Sequence, residues 1–362
     1  MKNTYKVVIG IVVMILIVMA FNLKETSEVR IGAVLPLTGG LASVGEDMKN
    51  GMSLAMEETG LKVEFQDGEA NPQKSLTAAR QLVDINKTAV VLTAFRGASL
   101  SIASGLSNTD AIIFSTTATA EGKSVSTSTP NLFVMGSEIV KSAEIPGAYA
   151  QTNNLCKAVS LISEQTDVGK DKLNGFGSKV GVEKVLLKEF FDPATTDFKS
   201  LIAKLKEKNS DCLFVEIKSN TFPVLLKQLA DSGYQPQIFS TSYSVTPGVF
   251  AGAPKEMLGK VIFSSTLVDE KNPLTKAFLD KYQAKYGKAA TDFSAVGYEM
   301  IKMLAKATKT CGENKACIKG ELAKISNLDT TLGKLSMENN QEIQLKQYQL
   351  FKISDGKFVP VN

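Results

Sequence analysis

The sequence predicts an α/β protein made of two doubly wound parallel-sheet lobes. Three observations lead there. Apolar strand-like runs alternate with segments of helical period. The alternation runs to about residue 114 and restarts near residue 158. The chain has 362 residues, 44% apolar and 22% charged, which is too long for one ordinary core and comfortable for two.

The elements follow in order. Residues 29–35 read as a strand ending at Pro36, and the turn Thr38-Gly39-Gly40 follows. From 43 to 58 the apolar positions Val44, Met48, Met52, Leu54, Ala55 and Met56 recur at helical spacing. Residues 61–66 form a second strand, and Pro72 opens a helix to about residue 86. Residues 88–95 are a third strand, and the small-residue stretch 96–105 leads into a short helix. Ile112, Ile113 and Phe114 form the core of a fourth strand. The second run has strands at 158–163, 185–190 and 212–217 with helices between them, notably 198–208 and 222–232. Gly233 sits just past the latter helix, where a left-handed residue ends helices. Short strands at 237–240 and 261–264 come next, then helices at 272–286 and 294–308. The tail 335–361 alternates like strands around a turn at Asp355-Gly356. Such sheets are covered on both faces and bind ligands beyond the carboxyl ends of their strands. The loops in question are 36–45, 96–99, 115–119, 165–169, 218–221 and 240–246.

Several function classes are disfavoured. The chain has no histidine, so it holds no Ser-His or Cys-His relay and no His-ligated metal. It also lacks tryptophan, the strongest stacking platform for sugars or bases. Gly122-Lys123-Ser124 ends like a phosphate loop, but Thr117 stands where the upstream glycine is required. Gly39, Gly40 and Gly45 lack dinucleotide spacing, and no carboxylate pair stands out as an acid/base couple. The expectation is a protein that is not an enzyme, with no cofactor and no metal. The net charge of +4 includes Lys2 and Lys6 at the N-terminus, so the body is nearly neutral and unsuited to nucleic acid.

Lys2 and Lys6 precede an unbroken apolar run over residues 7–21. Two readings stand for residues 1–25: a signal peptide cleaved after Ala20, or an uncleaved anchor over residues 7–23 stopped by Lys24. Both place the body outside the cytoplasm, periplasmic or at the cell surface. Four cysteines fit an oxidising compartment. Cys311 and Cys317 flank a short Gly-containing loop suited to a local disulfide. Cys156 and Cys212 each precede a strand; they pair if those strands are neighbours, and are otherwise buried free thiols.

Two hydroxyl-rich loops follow strands of the first run, Gly97-Ala98-Ser99-Leu100-Ser101 and Ser115-Thr116-Thr117-Ala118-Thr119. Backbone N–H groups at a helix start with hydroxyls nearby suit a carboxylate or other anion. Ordinary N-capping is the other reading of each loop.

The order of these motifs resembles the leucine/isoleucine/valine-binding protein family. The resemblance starts at Pro36-Leu37-Thr38-Gly39, Gly45 and Gly51, and continues through Asp67, Pro72 and Ala78-Ala79-Arg80-Gln81-Leu82. It runs on through Ser115 to Thr119, Asp197-Phe198, Leu225 to Gly233 and Tyr298-Glu299, covering the chain after the leader. It implies the type I periplasmic-binding fold, with two lobes joined by three crossing strands. The implied lobes are 29–147 with 268–327, and 148–267 with 328–362, closing around a ligand between them. It implies a solute-binding receptor working with the permease and ATPase subunits of an ABC importer; a sensory receptor signalling to a membrane partner is the alternative. In amino-acid-binding relatives one lobe holds the ligand carboxylate, which maps onto Arg96, Gly97, Ala98 and Ser99 and onto Thr117 and Thr119. The aromatic and acidic positions of the other lobe fall on Val168, Lys218 and Ser242, with Tyr243 one residue away. Arg96 stands where a serine is usual. Together with Lys218 it shifts the expected small solute from a zwitterion toward an anion, one with two acidic groups, unless both side chains face solvent.

Overall fold

Strands such as Ile31–Leu35 and Val90–Ala94 are buried at every position because both faces of their sheet are covered. The computed structural model describes residues 29–116, 129–266, 270–339 and 341–361. The leader, Thr117 and Thr119 lie outside the described residues.

In chain order the first part holds β1 (Ile31–Leu35), α1 (Ala42–Thr59), β2 (Val63–Asp67), α2 (Pro72–Arg80), β3 (Val90–Ala94), α3 (Arg96–Gly105), β4 (Ile112–Thr116) and β5 (Leu132–Ser137). Next come α4 (Ile139–Thr152), β6 (Val159–Glu164), α5 (Asp167–Val180), β7 (Val185–Phe191), α6 (Lys199–Glu207) and β8 (Cys212–Glu216). These are followed by α7 (Phe222–Asp231), β9 (Gln237–Thr241), α8 (Val249–Gly252), α9 (Lys255–Leu258) and β10 (Val261–Ser265). The last part holds α10 (Pro273–Tyr286), α11 (Asp292–Cys311), α12 (Lys315–Ala323), β11 (Leu328–Thr330), β12 (Gly333–Leu335), β13 (Glu342–Leu345), β14 (Gln349–Ser354) and β15 (Lys357–Pro360). Local signals set several boundaries. Asn71 Oδ1 accepts from the backbone N–H of Gln73 and Lys74 to start α2, with Pro72 at its first position. A Thr291/Ser294 capping box starts α11.

One sheet runs β13-β5-β4-β3-β1-β2 and is parallel throughout. The other runs β15-β14-β10-β9-β8-β6-β7, parallel from β10 to β7 and closed by the antiparallel β14–β15 hairpin. Asp355 and Gly356, both at positive φ, make its turn. Each sheet separates two cores. In the first sheet Ala33 and Leu92 face α1 and α11, whereas Val34 and Val91 face α2 and α3.

The lobe boundaries differ from the sequence expectation at two crossings. Residues 139–147 were expected in the first lobe, but α4 packs on the second sheet: Ala143 and Ala150 share a core with Val159 and Phe214. Residues 328–345 were expected in the second lobe, but Leu332, Leu335 and Ile343 join the first core and β13 pairs with β5. The cause is that β13 supplies an edge that β5 would otherwise leave unpaired on that side. The chain therefore passes between the sheets near residues 137–139, 265–273 and 345–349. The Tyr348 hydroxyl donates to the Glu138 carbonyl at 3.1 Å, joining the first and third crossings. The helix near residue 96 starts at Arg96 itself rather than after the small-residue stretch.

Two disulfides are present, Cys156–Cys212 and Cys311–Cys317. The first is within reach because β6 and β8 are neighbours, with Val159 beside Cys212. Close helix packing in the first lobe rests on Gly51 of α1: a Cβ there would lie 1.8 Å from the Ser294 carbonyl oxygen of α11.

Two predictions follow from this packing. Gly51→Ala is expected to cost about 3 kcal/mol or more by overpacking, read as a lowered denaturation midpoint; an unchanged midpoint would mean the two helices do not cross this closely. Removing Cys156–Cys212, separated by 56 residues, should cost about 4 kcal/mol on the chain-entropy account, against about 2 for Cys311–Cys317, separated by 6. Double Cys→Ala variants compared by chemical denaturation check that order.

Candidate functional site

The carboxyl ends of both sheets point into one cavity of about 950 Å³. Nearly every parallel strand contributes the residue at or just after its end, as the switch-point rule for open α/β sheets requires. From the first sheet come Gly40, Asn71, Phe95, Arg96 and Thr116. From the second come Glu164, Pro193, Glu216, Lys218, Tyr243 and Thr266.

The first wall is built around the end of β3. Phe95 adopts φ 67° and ψ 137°, a region that bulky residues rarely occupy and that costs on the order of 1–3 kcal/mol. Its N–H donates to the Thr116 carbonyl at 3.0 Å and its carbonyl accepts from Ser99 N–H at 2.9 Å. The bend starts α3 at once, so the positive end of that helix and the Arg96 side chain lie at the cavity. Phe95 and Phe293 lie 6.3 Å apart between ring centroids and form an apolar part of this wall. The rim loop at Thr38 is pinned by Asp67, which accepts from Leu37 N–H at 2.9 Å, from Thr38 and from Glu69 N–H at 2.9 Å. Burial pushes the Asp67 carboxyl up, but hydrogen bonds from Thr38, Glu69 and Leu37 outweigh it and hold the group below its ordinary value.

The second wall holds a chain of alternating charges. Glu164 and Glu216 end β6 and β8 and are buried. Lys172, also buried, ion-pairs with Glu216 and donates to Thr241 Oγ1 at 2.9 Å; Thr241 in turn donates to Glu216 Oε2 at 2.9 Å. Lys172 Nζ also lies 5.4 Å from the centre of the Tyr243 ring. Glu164 accepts the Lys218 backbone N–H at 3.0 Å. Lys218 Nζ sits 4.0 Å from Glu164 Oε1 and donates to the Pro193 carbonyl at 3.3 Å. Burial raises the Glu164 carboxyl above its ordinary value against the pull of the Lys218 N–H and ammonium, and the nearby Glu216 adds to the rise. Burial also drives the Tyr243 hydroxyl well above its usual value, reinforced by Glu164 and Glu216.

Among the described residues the walls are hydrogen-bonded to each other in two places. Ser43 Oγ of α1 lies 2.9 Å from Ser219 Oγ. Ser242 Oγ donates to Asp292 Oδ2 at 2.6 Å, and Thr266 Oγ1 to the same oxygen at 3.4 Å. Burial raises the Asp292 carboxyl despite these donors and the Phe293 N–H.

Of the residues singled out in the sequence, the cavity brings together Arg96, Gly97, Val168, Lys218, Ser242 and Tyr243. Ala98 and Ser99 do not line it. Both are buried beneath the wall, and the Ser99 hydroxyl is engaged with that of Ser115. Lys218 is occupied by Glu164 and Pro193, so one cation, Arg96, rather than two, has no hydrogen-bond or ion-pair partner among the described residues. Sequence reasoning missed Phe95, Glu164, Lys172, Glu216 and Asp292. For the two glutamates a signal existed, since each directly ends a fully buried strand run. Among the described residues no cluster of three or more His, Cys, Asp or Glu could hold a metal ion. No helix among them is long and apolar enough to cross a membrane.

Residues 28–357 match the family described as periplasmic binding protein. A curated relative, the Leu/Ile/Val-binding protein homolog 3 of Brucella melitensis, is 24% identical over 361 residues, covering 92% of this chain and 93% of its own. Among solved structures, the branched-chain amino acid transporter substrate-binding protein LivJ of Streptococcus pneumoniae, in complex with isoleucine, superposes with a TM-score of 0.82 at 22% identity, over 92% of this chain and 100% of that one. A solute-binding protein of an ABC transporter from R. palustris, in complex with benzoate, also gives 0.82 at 18% identity, over 92% and 96% of the two chains.

A pH dependence follows from the second wall. A carboxyl whose folded value lies above its unfolded one binds more protons in the folded state, so stability rises as pH falls toward it. Glu164 and Asp292 are of this kind. Asp67 acts oppositely, but only as pH falls below its unfolded value of 3.8. The melting temperature is therefore expected to rise as pH falls from neutrality toward the ordinary carboxylate range, and to rise less in Glu164→Gln. Equal rises in the two proteins would show that Glu164 does not titrate differently on folding.

Proposed function

The chain belongs to the periplasmic binding protein family, and we propose that within it this protein is the extracytoplasmic receptor of an ABC importer. Its solute, on this reading, is a small carboxylate-bearing compound, an amino acid or another acid, held between the two walls. The observation that carries the reading is Arg96: a guanidinium at a helix start, lining a two-walled cavity, with no partner among the described residues. A guanidinium in that position is suited to a bidentate contact with a carboxylate. Isoleucine and benzoate, the molecules held by two structural neighbours, have a carboxylate in common. The family is one of solute-binding proteins, and no reaction is assigned to the cavity. Export by the leader, with its Lys2 and Lys6 before an apolar run, and partnership with permease and ATPase subunits belong to the same proposal.

The test is a thermal-shift screen of the full chain in detergent against amino acids, aliphatic and aromatic acids, amides, sugars and nucleosides. A carboxylate-bearing solute should stabilise the fold by about 2.7 kcal/mol at 100 times its Kd. Arg96→Ala should weaken that solute about 10- to 100-fold, the range for a hydrogen bond to a charged group. A solute without a carboxylate as the sole hit, or binding indifferent to Arg96, would sink the reading.

A further inference from the structure

The charges lining the cavity constrain what else the solute carries. On the second wall each buried glutamate already has its own cation. Lys172 serves Glu216, with Thr241 bonded to both. Lys218 serves Glu164 through its backbone N–H and, at 4.0 Å, its ammonium. Asp292 has no cation but takes donors from Ser242, Thr266 and Phe293, and it opens a 20-residue helix whose positive end faces it. A ligand ammonium brings three donors and is costly to bury unless acceptors are free to meet them. The buried carboxylates here, Glu164, Glu216 and Asp292, have each already met a donor.

The first wall is the reverse. Arg96 has five donors and no partner among the described residues. Beside it the wall is apolar, made by Phe95, Phe293 and Val296. Among the described residues the cavity thus offers one unpaired cation and an apolar surface next to it, and the carboxylate of its lining that has no ion pair or hydrogen bond, Asp167, is exposed rather than buried.

Resting on the receptor reading above, we infer that the solute is an organic carboxylate with an apolar body and no ammonium group, an aromatic or branched alkyl acid rather than an α-amino acid. The Glu216–Lys172 and Glu164–Lys218 pairs disfavour the amino acid by leaving its ammonium no unpaired glutamate to meet it, which is discrimination by an unmet polar group.

Titration calorimetry of the full chain in detergent with matched probes tests this: 4-methylpentanoate against leucine, and 3-phenylpropanoate against phenylalanine. In each pair the acid differs from the amino acid only in lacking the ammonium. The expected result is that in at least one pair the acid binds 10-fold or more tighter than its amino acid. An amino acid that binds as tightly as its acid, or tighter, overturns the inference and leaves the receptor reading standing. Failure of all four probes and of benzoate overturns the inference, while the receptor reading stands or falls separately on the broader thermal-shift screen. Lys218→Met, which strips Glu164 of its cation, should shift the acid-to-amino-acid preference at least 10-fold toward the amino acid. An unchanged preference in a folded Lys218→Met protein counts against the inference, because it removes the paired glutamate as the reason for discrimination.

Discussion

Three backbone crossings fix where everything else in this molecule sits. The chain passes between the sheets near residues 137–139, 265–273 and 345–349, and the strands feeding the crossings, β5, β10 and β13, all end toward the same gap. Parallel pairing then forces the neighbouring strands to end there too. The loops that follow those ends must share one space, so residues as far apart in sequence as Arg96 and Tyr243 meet around it. Nothing about the individual loops requires this. It is a consequence of strand direction and of where the chain changes sheets.

Within that gap the second wall solves a problem of burial. Two carboxylates at adjacent strand ends would repel each other and lose their water. Lys172, from the helix after β6, reaches under the wall to Glu216, while the loop after β8 turns its own N–H and ammonium onto Glu164. Such pairs add little to stability compared with an apolar core, but they define which polar groups are spent and which remain for a solute. The first wall spends backbone strain instead: Phe95 is held at positive φ so that α3 can begin at the cavity edge.

How much of this was legible in the sequence differs between fold and site. The strands were legible because they are short apolar runs broken by Gly, Pro and polar turns: the run read at 29–35 is Ile31–Leu35, and that at 237–240 is Gln237–Thr241. The sheet to which a strand belongs was not. Glu342–Leu345 is four residues long, and its pattern fits either lobe; only the open edge at β5 decides. In the site, Arg96, Lys218 and Tyr243 could be placed because they follow strand ends. The engagement of Lys218 with Glu164, and of Lys172 with Glu216 at a separation of 44 residues, could not, since neither spacing nor residue type announces it. Ser99 shows the reverse failure: its position promised a ligand contact, and folding gave its hydroxyl to Ser115 instead.

The contact between Ser43 and Ser219 joins the two walls through a pair of neutral hydroxyls. A hydrogen bond of that kind has a net worth of about 1 kcal/mol, because water offers each partner nearly the same bond. Parting the lobes there would exchange one bond for two hydrated hydroxyls at little cost. Where the bonds of Ser242 and Thr266 to Asp292 persist, shut and parted arrangements differ little at this outer contact, and a modest difference in a solute's affinity for the two tips them. The weakness of that hydroxyl pair would then leave the decision to shut with the cargo rather than with the protein's own lobes.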